Sequence, residues 1–204
     1  FSTTMSTEYL FFYGHTPRKS DKWQAHVFSN WFPAKFVDPT TGVQYHNSEQ
    51  YMMARKALLF EDYATHAEIL ETPDPGKVKA LGRRVRNFNA EVWDKECYDA
   101  VLDGCRLKFT KNPELELILL KTAPLKLVEA APNDAIWGIG LGAEDARKTD
   151  PSQWPGKNLL GRLLTQLREE LAGQVTKDTA GNAQGAQKDS AAAGSRPKSN
   201  RRLQ

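Results

Sequence analysis

Residues 47–60 read NSEQYMMARKALLF, and the change of pattern at this stretch decides the fold. Asn47 with Gln50 three residues later resembles a capping box, the arrangement that satisfies free N–H groups at a helix start. The residues that follow read as a helix over Ser48–Phe60. On that helix Glu49 shares a face with Met52, Met53, Lys56 and Phe60.

Upstream, Tyr9–Tyr45 is a series of short apolar bursts cut by Gly14, Pro17, Pro33, Pro39 and Gly42. These read as strands over Leu10–Tyr13, His26–Phe28, Lys35–Val37 and Val43–Tyr45. Asp38-Pro39-Thr40-Thr41-Gly42 is turn chemistry, so the last two strands form a hairpin. Downstream the pattern stays helical, with helices over Glu61–Glu71 and Pro75–Arg84 and a long one capped by Asn89 and running to Lys111. Trp93, Cys97, Val101 and Cys105 lie along it at mostly helical spacing. Glu114–Lys121 follows Pro113. Leu125–Ala130 reads as a short strand or a helix extension.

Ala131–Lys157 is 27 residues rich in Gly, Pro, Asn and Asp. Loops of that length in compact domains are usually functional or disordered, and Trp137 and Trp154 favour order. Leu159–Leu171 is the final amphipathic helix. The expectation is one mainly α (α+β) domain over residues 9–172, with a few short N-terminal strands. A flexible N-terminus over residues 1–8 and a disordered basic tail over 173–204 flank it, the tail having almost no large apolar residues. No internal repeat is visible.

The net charge of +3 is unevenly spread. Residues 173–204 hold six cations against two acids, a balance of +4, so the remainder carries −1 and has no basic footprint for nucleic acid. Cys97 and Cys105 lie eight residues apart on one predicted helix, about 12 Å along its axis and too far for a disulfide. Two thiols without a disulfide framework point to a reducing compartment. No apolar run approaches a membrane span, and Phe1–Thr7 has no basic, apolar-cored leader. A cytoplasmic location is expected, with the nucleus as the alternative.

The common catalytic signatures are absent: no GxGxxG, P-loop, HExxH, GxSxG or paired CxxC. His15, His26, His46 and His66 have no metal-ligand spacing, so neither metal nor cofactor is expected. Carboxylates, aromatics and amide-rich turns are left. A carboxyl on the largely apolar face of Glu49 has a raised pKa, which suits an acid or base; the plain alternative is a first-turn acid complementing the helix dipole. Lys56, about 20° round the helix, is placed to meet a phosphate.

Phe28-Ser29-Asn30-Trp31-Phe32-Pro33 sets Asn30 and Trp31 where they stack a base and bond its edge, or else form a core corner. Asn133–Gly140 (NDAIWGIG) offers Asp134, Trp137 and a close backbone approach at Gly138, or else a tight turn. Asn158 opens the last helix, either as a phosphate site or as an ordinary cap. Arg83, Arg84 and Arg86 read as a solvated face, with phosphate contact the alternative.

Taken together, FSNWFP (28–33), SEQYMMARKA (48–57), LGRRVR (81–86), NDAIWGIG (133–140) and NLLG (158–161), running into Leu164–Arg168, resemble the NADAR (YbiA-like) family in its own order. The resemblance implies a mainly helical domain with N-glycosidase activity. The implied substrates are a phosphorylated ribosylamino-pyrimidine of riboflavin synthesis or an ADP-ribose–nucleobase conjugate, the latter including ADP-ribosylated nucleic acid.

By position, Glu49 matches the family's helix glutamate, and Asp134 and Trp137 match its WG-containing loop. Many relatives have a histidine after that glutamate, where this chain has Gln50. The implied chemistry passes through an oxocarbenium-like state. Glu49 moves a proton or positions water, Asp134 stabilises the cation or supports the ribose hydroxyls, and the sequence does not assign which carboxylate takes which role. Trp31 and Trp137 hold the base, while Lys56 and the Asn158 helix terminus hold phosphate. A non-catalytic NAD or ADP-ribose sensor is the alternative from a different class. A basic tail anchoring a nucleic-acid enzyme is a third reading.

Overall fold

The computed structural model describes residues 8–19 and 21–192, with side chains as far as Thr176. The expected flexible N-terminus and the end of the expected tail fall on residues 1–7 and 193–204, outside the described residues. One compact unit ends at Arg168 and a second begins at Glu169.

Helix α1 (Ser48–Leu59) is the centre of the first unit, packed on α2 (Tyr63–Leu70), α3 (Pro75–Arg83) and α4 (Ala90–Thr110). It is buried nearly all round: Ser48 through Ala54 and Ala57 are all buried. Glycines set two of its crossings. A Cβ on Gly82 of α3 would lie 1.9 Å from the Met53 sulfur, and one on Gly104 of α4 would lie 2.8 Å from Tyr51 Cδ1. The helices therefore approach more closely than side chains at those positions allow.

Each of these four helices carries its cap in sequence. Asn47, Asp62, Asp74 and Asn89 accept from the backbone N–H three residues on. Gln50 does a different job from the capping-box expectation. Its Nε2 donates to the carbonyls of Ile69, Leu70 and Thr72, and its Oε1 accepts from the His46 N–H. A fully buried amide thus satisfies the open carbonyls at the end of α2.

The strands are few. β1 (Tyr9–Phe12) pairs in parallel with β4 (Lys126–Glu129), Phe12 opposite Glu129. β2 (Phe36–Val37) and β3 (Gln44–Tyr45) form the expected hairpin, with Phe36 opposite Tyr45. The expected strand over His26–Phe28 is instead a single 3₁₀ turn, Ala25–Phe28. Gln24 takes a left-handed φ of 53°, and the Asp21 carboxylate accepts from the His26 N–H, closing a local turn that a ladder would break.

After α5 (Pro113–Lys121) and β4, the long Gly/Pro-rich stretch is ordered and contains the short α6 (Ala143–Ala146). Trp154 fixes it, with its ring 5.3 Å from Tyr9 and 5.9 Å from Phe11 and its Nε1 donating to the Ala146 carbonyl. The last helix, expected over Leu159–Leu171, is α7 and extends over Leu159–Ala192. The region expected to be disordered is thus helical as far as Ala192. Its Ala, Gln and Lys residues carry helix propensity without needing a core. Among the described residues no helix is long and apolar enough to cross a membrane. Cys97 and Cys105 are buried free thiols.

Candidate active site

Segments distant in sequence meet around a cavity of about 380 Å³. The Ser29–Trp31 turn and Glu49 supply one wall, Lys79 and Arg83 of α3 another, and Glu129 with Asn133–Trp137 a third. A wider surface hollow of about 670 Å³ between α2 and α3 has no aromatic lining and one exposed ion pair, Arg84–Glu68. The chemistry sits in the smaller space.

Glu49 is in the first turn of α1 and is 6% exposed. Its N–H donates to the Asn30 carbonyl at 3.0 Å, tying the helix start to the aromatic turn. Burial raises its pKa to about 7; Lys79, the Trp31 indole and Arg83 favour the charged form, and Asp134 opposes it.

The turn before it is anchored from beneath by α4. Lys108 has no exposed surface, and its ammonium donates to the carbonyls of Val27 at 2.6 Å and Ser29 at 2.8 Å. Its pKa falls to about 8 because burial penalises the cation. The neighbouring Cys105 thiol donates to Asn30 Oδ1 at 3.5 Å.

On the opposite wall Asp134 organises its own loop. Its Oδ1 accepts from the N–H groups of Ile136 at 2.9 Å and Trp137 at 2.8 Å. Glu129, at the end of β4, is a third carboxyl in the cavity. Burial first, then Asp134 and Glu49, raise its pKa to about 8, with Lys79 opposing. Among the described residues its Oε2 is buried and has no hydrogen-bond partner.

Of the residues singled out from sequence, the structure brings Asn30, Trp31, Glu49, Asp134 and Trp137 together. It does not bring Lys56, Gly138 or Asn158 into the cavity lining. The Lys56 ammonium donates to the Gly82 carbonyl at 2.8 Å and lies 4.2 Å from the Phe88 ring centroid, so it is committed between helices. Gly138 faces protein rather than ligand, since a Cβ there would lie 2.9 Å from Ala131 Cβ and from the carbonyl oxygens of Asp134 and Glu129.

Asn158 uses both ends of its amide on β4: Oδ1 accepts from the Glu129 N–H at 2.9 Å and Nδ2 donates to the Leu127 carbonyl at 3.0 Å. It takes a left-handed φ of 52°. Gly161 beside it leaves the room this clamp needs, because a Cβ would lie 2.2 Å from the Leu127 oxygen.

Sequence reasoning missed Glu129 and Lys79. A carboxylate closing a short buried strand before a Gly/Asn-rich loop was the available sign of the first. The spacing of Lys79 and Arg83, one turn apart on α3, was the sign of the second. Of the three arginines flagged, Arg83 lines the cavity. Arg86 pairs with the buried Asp62 at 2.7 Å. Among the described residues, no three of His, Cys, Asp and Glu are grouped closely enough to hold a metal ion.

The chain is similar to known proteins. The NADAR domain family model matches residues 11–172. N-glycosidase R617 of Acanthamoeba polyphaga mimivirus is 48% identical over 166 residues, covering 80% of this chain and 96% of that protein. N-glycosidase YbiA of Escherichia coli (strain K12) is 34% identical over 145 residues, covering 71% and 81%. The chloroplastic riboflavin biosynthesis protein PYRR of Zea mays is 32% identical, over 73% of this chain but 24% of that protein. The NMR structure of the Escherichia coli protein YbiA superposes with a TM-score of 0.65 at 31% identity, covering 84% of this chain and 89% of that one. The chain belongs to the NADAR domain family and shares its relatives' class, that of a hydrolase acting on N-glycosyl bonds.

Proposed function

We propose that this enzyme hydrolyses the N-glycosidic bond of a phosphorylated N-riboside. The candidate classes are a ribosylamino-pyrimidine phosphate of riboflavin synthesis and an ADP-ribose–nucleobase conjugate. One observation carries the reading: the buried Glu49 carboxyl shares a cavity with Asp134, two tryptophans and two cations.

The parts fit the reaction. Trp31 and Trp137 offer flat apolar walls for a base, and Asn30 offers an amide for its edge. Lys79 and Arg83 offer positive charge to a phosphate, taking the role first given to Lys56 and Asn158. A carboxylate facing C1′ stabilises positive charge developing in the sugar, a role that Asp134, fixed as an acceptor by two N–H groups, is set up to fill. Glu49, with a pKa close to neutrality, accepts the proton of the attacking water. The maize relative's name supports the riboflavin class. Burying carboxyls beside a phosphorylated ligand weakens simple binding, which favours catalysis over a sensor.

A substrate panel tests this directly. Ribosylamino-pyrimidine phosphates, NAD, ADP-ribose and an ADP-ribosylated guanine are incubated with enzyme and resolved by liquid chromatography. Release of a free base from one class is the expected result and names the substrate. Tight binding of a member, seen as thermal protection with no product, contradicts the proposal and leaves a sensor.

A further inference from the structure

Within that reading of the site, we propose that Glu129 is a catalytic residue, the acid that protonates the departing base. The fold holds this residue's backbone on both sides. Its N–H is held by Asn158 Oδ1 at 2.9 Å, and its carbonyl accepts from the Ile139 N–H at 2.9 Å. Phe12 of β1 lies opposite it in the parallel pair, and Gly138 packs against its carbonyl too closely for any side chain. Three separate segments therefore fix the Glu129 backbone, although its buried Oε2 has no hydrogen-bond partner among the described residues. A buried carboxyl oxygen left without a donor costs stability, and such groups in native proteins usually have a functional reason.

The charge pattern assigns the role. Three carboxyls, Glu49, Glu129 and Asp134, line one space with Lys79 and Arg83 as its cations. Three negative charges in so small a volume repel, so a proton is retained on the carboxyl least compensated by donors. Asp134 accepts two backbone N–H bonds and Glu49 faces the Trp31 indole, which leaves Glu129 as the proton carrier. Its raised pKa, about 8, agrees: burial and the two neighbouring carboxyls keep it protonated at neutral pH.

The step balances. The C1′–N bond breaks and its electron pair goes to the base nitrogen, which takes the Glu129 proton. Water oxygen bonds to C1′ and gives its proton to the Glu49 carboxylate. Glu49 then releases that proton to solvent and Glu129 regains one, so the net change is riboside plus water to ribose and free base.

The test uses two phosphorylated ribosides and the variant Glu129→Gln. One substrate is the neutral-base riboside found in the panel. The other is nicotinamide mononucleotide, whose pyridinium group leaves as a neutral molecule and needs no proton. The variant is expected to lose about 10²–10⁴-fold in kcat on the first and less than tenfold on the second. It is also expected to lose the fall in rate above about pH 8. Equal losses on both substrates would mean a structural role, and retention of full rate on the first would mean none; either overturns the proposal. Infrared difference spectra give a readout without substrate: the carboxylic-acid C=O band that persists to about pH 8 should disappear in Glu129→Gln. An unchanged band overturns the assignment even if the panel has already rejected the glycosidase reading.

Discussion

The helical walls of the cavity and the wall that faces them were built in different ways. The helical walls, on α1 and α3 with α4 behind, rest on helices whose starts and caps are local in sequence. Glu49 follows its cap by two residues, and Lys79 and Arg83 lie one turn apart. The facing wall, Glu129 to Trp137, contains one four-residue strand and a loop. It is held by partners far along the chain, β1 on one side and Asn158 on the other. Where order is local, a side chain's position follows from periodicity; where it is long-range, a motif residue is as readily a brace as a ligand contact.

The buried Lys108 is the long-range support of the aromatic turn on this side, and removing it should give the largest of the three effects considered first. In Lys108→Met the carbonyls of Val27 and Ser29 lose their donor, and the turn carrying Asn30 and Trp31 shifts. A displacement of about 1 Å in a positioning group costs roughly 10²-fold in rate. That loss in kcat is expected while far-ultraviolet circular dichroism remains helical. A variant as active as wild type would show that the turn needs no such support.

A smaller effect is expected from the brace on the facing wall. Asn158→Ala removes two hydrogen bonds to β4 and leaves the Glu129 N–H and the Leu127 carbonyl unpaired. Unfolding in urea should show a destabilisation of roughly 1–3 kcal/mol, with kcat falling by about tenfold. If KM for the phosphorylated riboside rose while stability held, Asn158 would be a phosphate contact after all.

The contrast between two lysines is the finest of these tests. Lys79→Ala should raise KM for the phosphorylated riboside by about tenfold and leave the dephosphorylated riboside unaffected, as loss of one charge-assisted contact implies. Lys56→Ala should change KM by less than about threefold, because its ammonium is committed to the Gly82 carbonyl and the Phe88 ring. The reverse order would restore the helical-wheel assignment.

These cases mark what the sequence could tell. The boundaries of α1–α5, the β2–β3 hairpin and the gathering of Asn30, Trp31, Glu49, Asp134 and Trp137 were legible, because caps, turn residues and motif order carry them. Lys56 was misplaced because α1 is buried nearly all round. A helix surrounded by neighbours has no single inward face, and an angle round its axis does not say which neighbour a side chain meets. Gly138 and Asn158 had the right chemistry for a ligand, but their partners are backbone atoms of β4 and its adjoining loop. Asn158 lies 29 residues from Glu129, a distance over which no periodicity reaches. Glu129 itself stood in a run of four strand residues with no alternation to mark it.

The most direct test of the central claim is the rate of base release by Glu49→Gln. A raised pKa means that the folded state holds its proton more tightly than the unfolded chain. The stability present below the unfolded value of 4.5 is therefore lost as pH rises through about 7. The neutral variant should be more stable than wild type at pH 8, by up to roughly 3 kcal/mol, and urea unfolding checks that an inactive protein is a folded one. Turnover of the phosphorylated riboside should fall by about 10²–10⁴-fold in this stabilised variant. Retention of more than about a tenth of the wild-type rate would contradict the assignment of Glu49 to the reaction, since acid–base groups contribute more than that.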